Sequence, residues 1–374
     1  MNLYVNNLLS SGWGRFLIMH KNRHVASIRE DGTCTIYYPS FMPYNLYFEE
    51  SSPDDISTRI NNLNNFYYWC ASRMITLDRK YAKEILNSIG VGQPRTDRER
   101  AAIAISYHAL CLTDVFWVKK SGEKLLFEDI SLYRHSLSNA FVDVSLTGKQ
   151  LTLANSELIT AGDIACDIST DGVAPKAWIR EANDFYLIKN GSERDVNAEL
   201  LASRIADCFD FPHVRYDASV FDGKKVTKCR LITSEKYSIV PIEYVDIYCI
   251  NRDKSRHNLV LDRDSRSFYM MNIFDYLIGN TDRHWGNWGM LVDNGNNKLL
   301  RLYPLMDFNK AFLSYDEIDG GICQTVEERI SQKDAAIEAV KKIGLNMIAD
   351  IQPEWFEDAD ISNMFFERLS LLKK

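Results

Sequence analysis

Apolar and polar positions repeat with two different periods along the 374-residue chain, and the changes of period divide it. Over the first 150 residues, short strand-like runs mix with helices. Residues 79–89 (RKYAKEILNSI) read as one helix, closed by Gly90 and Gly92. Thr96 with Glu99 forms a capping-box signature ahead of an alanine-, isoleucine- and leucine-rich helix over 100–110. Residues 112–118 (LTDVFWV) carry β-branched and aromatic side chains and read as a buried strand, followed by a turn at 120–122. No chemistry stands out in this stretch, so residues 1–150 are expected to form a structural or partner-binding α+β domain.

Beyond a boundary near 150 the pattern changes. Residues 169–172 (STDG) are a turn cluster, and 177–180 with the apolar run 185–189 (FYLIK) predict a hairpin-like β unit. Ser192 and Asp195 open a helix whose apolar positions are Val196, Leu200, Leu201, Ile205, Cys208 and Phe209. Strands are predicted over 214–220, 227–233 and 237–245. From about 265 the pattern is helical, broken by one hairpin, and the last 50 residues are helical again. A β-rich unit over 151–240 followed by a helical unit over 241–374 is a two-lobed arrangement, and clefts between such lobes are common ligand sites.

The hairpin carries the candidate chemistry. Phe268, Met271, Phe274, Leu277 and Ile278 form an apolar stripe that Gly279 ends. The polar loop 280–287 (NTDRHWGN) follows, then a strand over 288–292, a tight turn at 293–297 (DNGNN) and a returning strand over 298–303. Asparagine and glycine tolerate the positive φ of hairpin turns. A hairpin brings its ends together, so Asp282 and Asn287 before it should lie near Asp307 after it. Three oxygen-bearing side chains at one point suit a hard divalent cation such as Mg²⁺. The five-residue step from Asp282 to Asn287 equals that between the catalytic Asp and Asn of kinase loops.

Composition narrows the field. A hydrophobic fraction of 46% with 25% charged residues is that of a globular protein and excludes disorder as the main state. The formal charge of −7 gives no direct support to nucleic-acid binding. None of the eight cysteines forms a CxxC pair, which removes zinc-ribbon and dithiol redox chemistry and suits reduced, buried thiols. The N-terminus lacks the pattern of a secretory leader, and no run reaches the roughly 18 apolar residues of a membrane span. A cytoplasmic protein without membrane association is expected.

Residues 280–287 together with Pro304-Leu305-Met306-Asp307 resemble the HipA-like branch of the protein-kinase-like fold. That branch has an Asn-Thr-Asp-x-His-x-x-Asn catalytic loop and a metal-binding aspartate after a short hairpin. The resemblance is most specific over 268–312. It implies an α+β, two-lobed kinase-like fold, with a β-rich N-lobe and a helical C-lobe, preceded by the additional N-terminal domain. It further implies an ATP- and Mg²⁺-dependent serine/threonine protein kinase with a protein substrate or regulatory partner. Asp282 would be the base or hydroxyl-orienting residue, and Asn287 and Asp307 the metal ligands. His284 would be a structural member of the loop, and Arg283 either neutralises phosphate or is solvated. Lys189 at a strand end and Glu199 on the next helix match the pair that orients ATP phosphates in kinases. By analogy, Gly172 and Lys176 belong to a phosphate loop over 169–176, with Ser169 and Thr170 as autophosphorylation candidates. Thr233 and Glu235 lie in a segment (231–237) whose backbone would meet adenine. The Asp-Arg-His-x-x-Asn string also looks like phosphoinositide-kinase loops, so a lipid or small-molecule kinase is one alternative. A catalytically silent nucleotide- or partner-binding module is another.

Overall fold

A computed structural model describes residues 12–374 apart from 53, 89, 136–139, 149–172, 183 and 314. Gly172, Ser169, Thr170 and the expected boundary near 150 lie outside the described residues. The secondary structure is mixed, with antiparallel β pairing throughout the registered sheets. Two compact units divide the chain. The first takes in the described residues up to Lys189 with Thr233–Ser238 and Asp293–Lys298; the second comprises Asn190–Ile232, Ile239–Val292 and Leu299–Lys374.

In the first unit, strands β1 (Arg15–His20), β2 (Arg23–Arg29), β3 (Cys34–Ile36) and β4 (Phe116–Lys120) form a sheet in the order β3-β2-β1-β4. Helix α1 (Ile56–Ala71) buries Phe66 and Trp69, and Phe66 stacks with Phe16 of β1 and with Trp13. Helix α2 (Ala82–Ser88) is shorter than the predicted 79–89. Tyr81 takes φ +71°, outside helical backbone, and Arg79 turns inward to donate to the Lys176 carbonyl. Helix α3 (Asp97–Ser106) starts at the predicted Thr96–Glu99 capping box. The strand expected over 112–118 begins only at Phe116. Ahead of it, the Asp114 carboxylate accepts from the Phe116 N–H (2.8 Å) and from the buried Arg73, which bends the chain out of a ladder. Two short helices, α4 (Phe127–Ile130) and α5 (Ala140–Thr147), follow. Strands β5 (Lys176–Glu181) and β6 (Asp184–Lys189) then pair as the predicted hairpin.

The second unit opens with helix α6 (Glu193–Ala206), whose Ser192–Asp195 capping box is in place. Its buried face is made of Val196, Ala198, Glu199, Ala202, Ser203, Ile205 and Ala206, while Leu200 and Leu201 are half-buried. Strands β7 (Tyr216–Phe221) and β8 (Lys224–Arg230) form a second hairpin. The strand expected over 237–245 is β9 (Tyr237–Pro241) only; Pro241 lacks an N–H and caps helix α7 (Ile242–Ile250) instead. Helix α8 (Arg256–Leu277) kinks at Asp264, which caps its second half through the Ser267 N–H (3.1 Å). Strands β10 (Gly289–Asp293) and β11 (Lys298–Leu302) complete a sheet in the order β11-β10-β9. Gly289 is required there, because a Cβ would run into the Val240 carbonyl. Helices α9 (Gln332–Ile343) and α10 (Ala359–Leu372) close the unit. The seven described cysteines are buried and none is in a disulfide.

Candidate active site

The second half of α8 is buried on nearly every side from Phe268 to Leu277, as an amphipathic surface helix would not be. Two polar groups lie in this apolar environment, Asn272 and Asp275. Gly279 ends the helix at φ +60°, where a Cβ would run into the Tyr315 ring. The chain thus enters 280–287 from a rigid, central element.

Asn280 organises the start of this loop. Its amide donates to Asp275 Oδ1 (3.1 Å), and its Oδ1 accepts from the Asp282 N–H (3.2 Å). The Asn280 and Thr281 carbonyls accept from Gln332 (2.8 Å) and Gln324 (2.7 Å). Asp282 and His284 are then exposed, while Arg283 between them is 2% exposed. This corrects both readings of Arg283, which neither meets solvent nor lies open to a phosphate. Its Nε and Nη2 donate to the two Asp275 oxygens (2.8 and 3.0 Å), and Nη1 donates to the Asn287 carbonyl (2.9 Å) and the Met306 carbonyl (2.7 Å). Burial works against its charge, and the Asp275 carboxylate more than compensates, so Arg283 is held firmly cationic.

That one guanidinium joins the two ends of the β10–β11 hairpin. Asn287 also donates through Nδ2 to the Asp282 carbonyl (2.8 Å), and its N–H bonds the His284 carbonyl (2.9 Å). The His284 Nδ1 accepts from the Gly286 N–H (3.1 Å), which makes the imidazole part of the loop's own scaffold. Asp307, next to Met306, sits at φ +65°, a left-handed backbone that costs a non-glycine residue about 1 kcal/mol or more. Its neighbours hold it there. Val214 N–H bonds Leu305 O (2.8 Å), Leu305 N–H bonds Pro212 O (2.9 Å), and Asp307 N–H bonds the Tyr216 hydroxyl (3.2 Å). Phe308 is fully buried against Phe274 and Tyr216. The main chain at Asn287 and at Met306, next to Asp307, is therefore drawn together at Arg283.

The donor set is two carboxylates and an amide. With its nitrogen engaged by the Asp282 carbonyl, Asn287 has its oxygen left for another partner. All three groups offer hard oxygens, as Mg²⁺ requires, and Mg²⁺ commonly takes its remaining ligands from water and phosphate. Among the described residues no cluster of three or more His, Cys, Asp and Glu side chains could hold a metal by itself.

Glu199, also in this unit, is 1% exposed and accepts from the Thr227 hydroxyl (2.6 Å). The remaining expected residues belong to the first unit. Lys176 and Lys189 face each other directly across the β5–β6 register, both 8% exposed. The Thr233 hydroxyl donates to the Leu112 carbonyl, and Glu235 accepts from Arg134 at Nε (2.6 Å) and Nη2 (2.9 Å) and from Ser131 (3.2 Å). These two side chains are committed to structural bonds inside the unit, which confines any ligand role of the segment to its backbone. There, Asn294 already donates to the Ser234 and Glu235 carbonyls (both 3.3 Å).

Asp275, Asn280 and Tyr216 organise the site but were not among the expected residues. Only Asp275 left a signal, a carboxylate flanked by Phe274 and Tyr276 in an apolar stripe, which requires a buried cationic partner.

No protein-family model matches the chain. Among curated proteins it is similar to the serine/threonine-protein kinase CtkA of Helicobacter pylori, with 26% identity over 132 residues. The match takes in 31% of this chain and 40% of that protein, so the chain spans about two fifths of the length of the relative. Among solved structures it is similar to HipA of Shewanella oneidensis, determined with HipB and operator DNA. That likeness has a TM-score of 0.53 at 12% identity and covers 96% of both chains. The crystal structure of the H. pylori proinflammatory kinase CtkA gives a TM-score of 0.40 at 16% identity, covering 53% of this chain and 90% of that one. The likeness to HipA is one of fold, and the similarity to CtkA agrees with the resemblance of the 280–287 loop and Asp307 to HipA-like kinases.

Proposed function

We propose that this protein transfers the γ-phosphoryl group of ATP to a serine or threonine hydroxyl of a protein, with Mg²⁺ as the accompanying ion. Asp282, exposed on a loop pinned from behind, orients the acceptor hydroxyl and takes its proton. Asn287 and Asp307 hold the ion, which supplies charge neutralisation to the triphosphate. Lys176 and Lys189, directly opposite each other on one hairpin, meet the phosphates of ATP in this reading. Roles for Lys189 and for Glu199 toward the ATP phosphates, for the backbone of Thr233 and Glu235 toward adenine, and for Ser169 or Thr170 in autophosphorylation belong to the same reading. Phosphoryl transfer depends mainly on positioning and charge, which is what this loop provides.

The observation that carries the proposal is the buried Arg283, which ties the Asn287 and Met306 carbonyls to one point beside the exposed Asp282. Incubation with labelled ATP and Mg²⁺ should label the protein or an added polypeptide, and Asp282→Ala should abolish the signal. Undiminished transfer in that variant would remove the role assigned to Asp282. A protein partner is part of this reading. The solved HipA was determined with HipB and operator DNA, and the charge of −7 here favours a protein over direct contact with nucleic acid. Among the described residues no helix is long and apolar enough to cross a membrane.

A further inference from the structure

Trp285 stands apart from the other loop residues. Four tryptophans of this chain, Trp13, Trp69, Trp117 and Trp288, are at most 5% exposed, whereas Trp285 is 39% exposed. It lies three residues after Asp282 and two before Asn287. Its exposure is not looseness. The Arg256 guanidinium sits 4.1 Å from the centre of its ring, a distance at which a cation is held by the π-face. Arg256 is itself largely covered and paired with Asp246 of α7 (3.4 Å). The Trp285 carbonyl accepts from the Glu243 N–H (3.4 Å), also on α7. Helix α8 therefore holds the indole through Arg256 and α7 holds the Trp285 main chain, and part of the ring is left in water in the loop that carries the exposed Asp282 and His284.

We infer that Trp285 is a specificity-determining residue that packs against the polypeptide acceptor, next to the hydroxyl addressed by Asp282. The inference rests on the phosphotransfer reading above and adds what flanks the acceptor hydroxyl, an apolar or aromatic side chain. Large apolar side chains kept rigid at a surface are the usual anchors of recognition, since little side-chain entropy remains to be lost on binding. The charges of the loop choose the class. Its one arginine or lysine, Arg283, is buried, and its exposed charge is the Asp282 carboxylate. A phosphorylated sugar or lipid headgroup would meet an aromatic ring and a negative charge, with no cation offered by the loop. A neutral serine or threonine flanked by an apolar or aromatic side chain meets a matching surface.

The test uses the full chain, ATP with Mg²⁺, and a positional peptide library built around one fixed serine. The wild type should prefer an apolar or aromatic neighbour. Trp285→Ala should erase that preference and raise the peptide KM by roughly tenfold, with the ATP KM within about twofold. Trp285→Phe should keep most of the preference. An unchanged peptide KM in Trp285→Ala overturns the inference. So does a parallel loss in kcat and ATP KM that Phe does not rescue, because that is the behaviour of a scaffold residue. If the wild type transfers no phosphate, the best apolar-flanked peptides are titrated directly by fluorescence anisotropy. Binding weakened about tenfold by Trp285→Ala would sustain the acceptor surface while the phosphotransfer reading falls. Absent or Trp285-independent binding would overturn the surface as well.

Discussion

Each unit contains a buried arginine with the same four-bond pattern. In the first, Arg73 meets both Asp114 oxygens (2.7 and 2.8 Å) and the Ala109 and Phe116 carbonyls (2.6 and 3.0 Å). In the second, Arg283 meets both Asp275 oxygens and the Asn287 and Met306 carbonyls. What differs is what the carbonyls belong to. Arg73 fastens the approach to β4, whose Phe116, Trp117 and Val118 are buried. Arg283 fastens a loop whose flanking residues Asp282 and His284 are exposed, and a segment that ends in the left-handed Asp307. The bonding chemistry is shared, so the ion pair alone does not mark a site. The site is marked by polar groups kept in water beside a rigid support.

The sharpest way to break the comparison is Arg73→Met. It leaves Asp114 without its buried cation and should destabilise the first unit by about 3–5 kcal/mol. Urea titration followed by amide exchange in β1 and β4 would read this, with transfer per folded molecule staying within about twofold. A loss of transfer at unchanged stability would reverse the roles assigned to the two pairs.

Acid should act on the same region. His20 of β1 packs edge-on against Phe116 and Phe41, and its Nε2 has no hydrogen-bond partner among the described residues. Burial, and next the nearby Lys21, push its pKa down to about 4. Between pH 6.5 and 4 the unfolded chain therefore binds the proton that the folded one refuses. Stability should be full above pH 6.5 and fall by about 3 kcal/mol as pH drops to 4. His20→Phe should flatten that part of the pH–stability curve, and an unchanged slope would show that other groups govern it.

In the second unit the largest effect should be on rate. Asp275→Asn keeps the shape but removes the charge that orients Arg283, and a displacement of about 1 Å at Asn287 or Asp307 costs on the order of 100-fold in transfer. Single-turnover labelling alongside thermal unfolding would separate this from a folding defect. Near-normal transfer would show that the Asn287 and Met306 carbonyls hold their places without the ion pair.

Legibility followed the range of the interactions. The 288–303 hairpin could be read because its Asn-Gly turn is local, and with it the approach of the chain at Met306 to that at Asn287. The capping boxes at Thr96 and Ser192 are equally local. Interactions set by distant partners could not be read. Glu235 is claimed by an arginine 101 positions earlier, and the start of β4 depends on Arg73, 41 positions before Asp114. The inward turn of Arg283 needed a partner eight residues upstream, inside a helix whose apolar stripe concealed it. The β9–α7 junction was missed for a different reason. Val240-Pro241-Ile242 is apolar throughout, and only the missing proline N–H separates strand from helix.

The backbone at Asp307 sets this chain against itself under selection for heat tolerance. Glycine would relax the left-handed φ of +65° and make the chain hardier, while deleting the carboxylate proposed to hold the ion. Libraries enriched purely for survival at high temperature should therefore drift toward glycine at 307 and go silent, whereas libraries screened for turnover should keep the strained aspartate and gain their tolerance elsewhere.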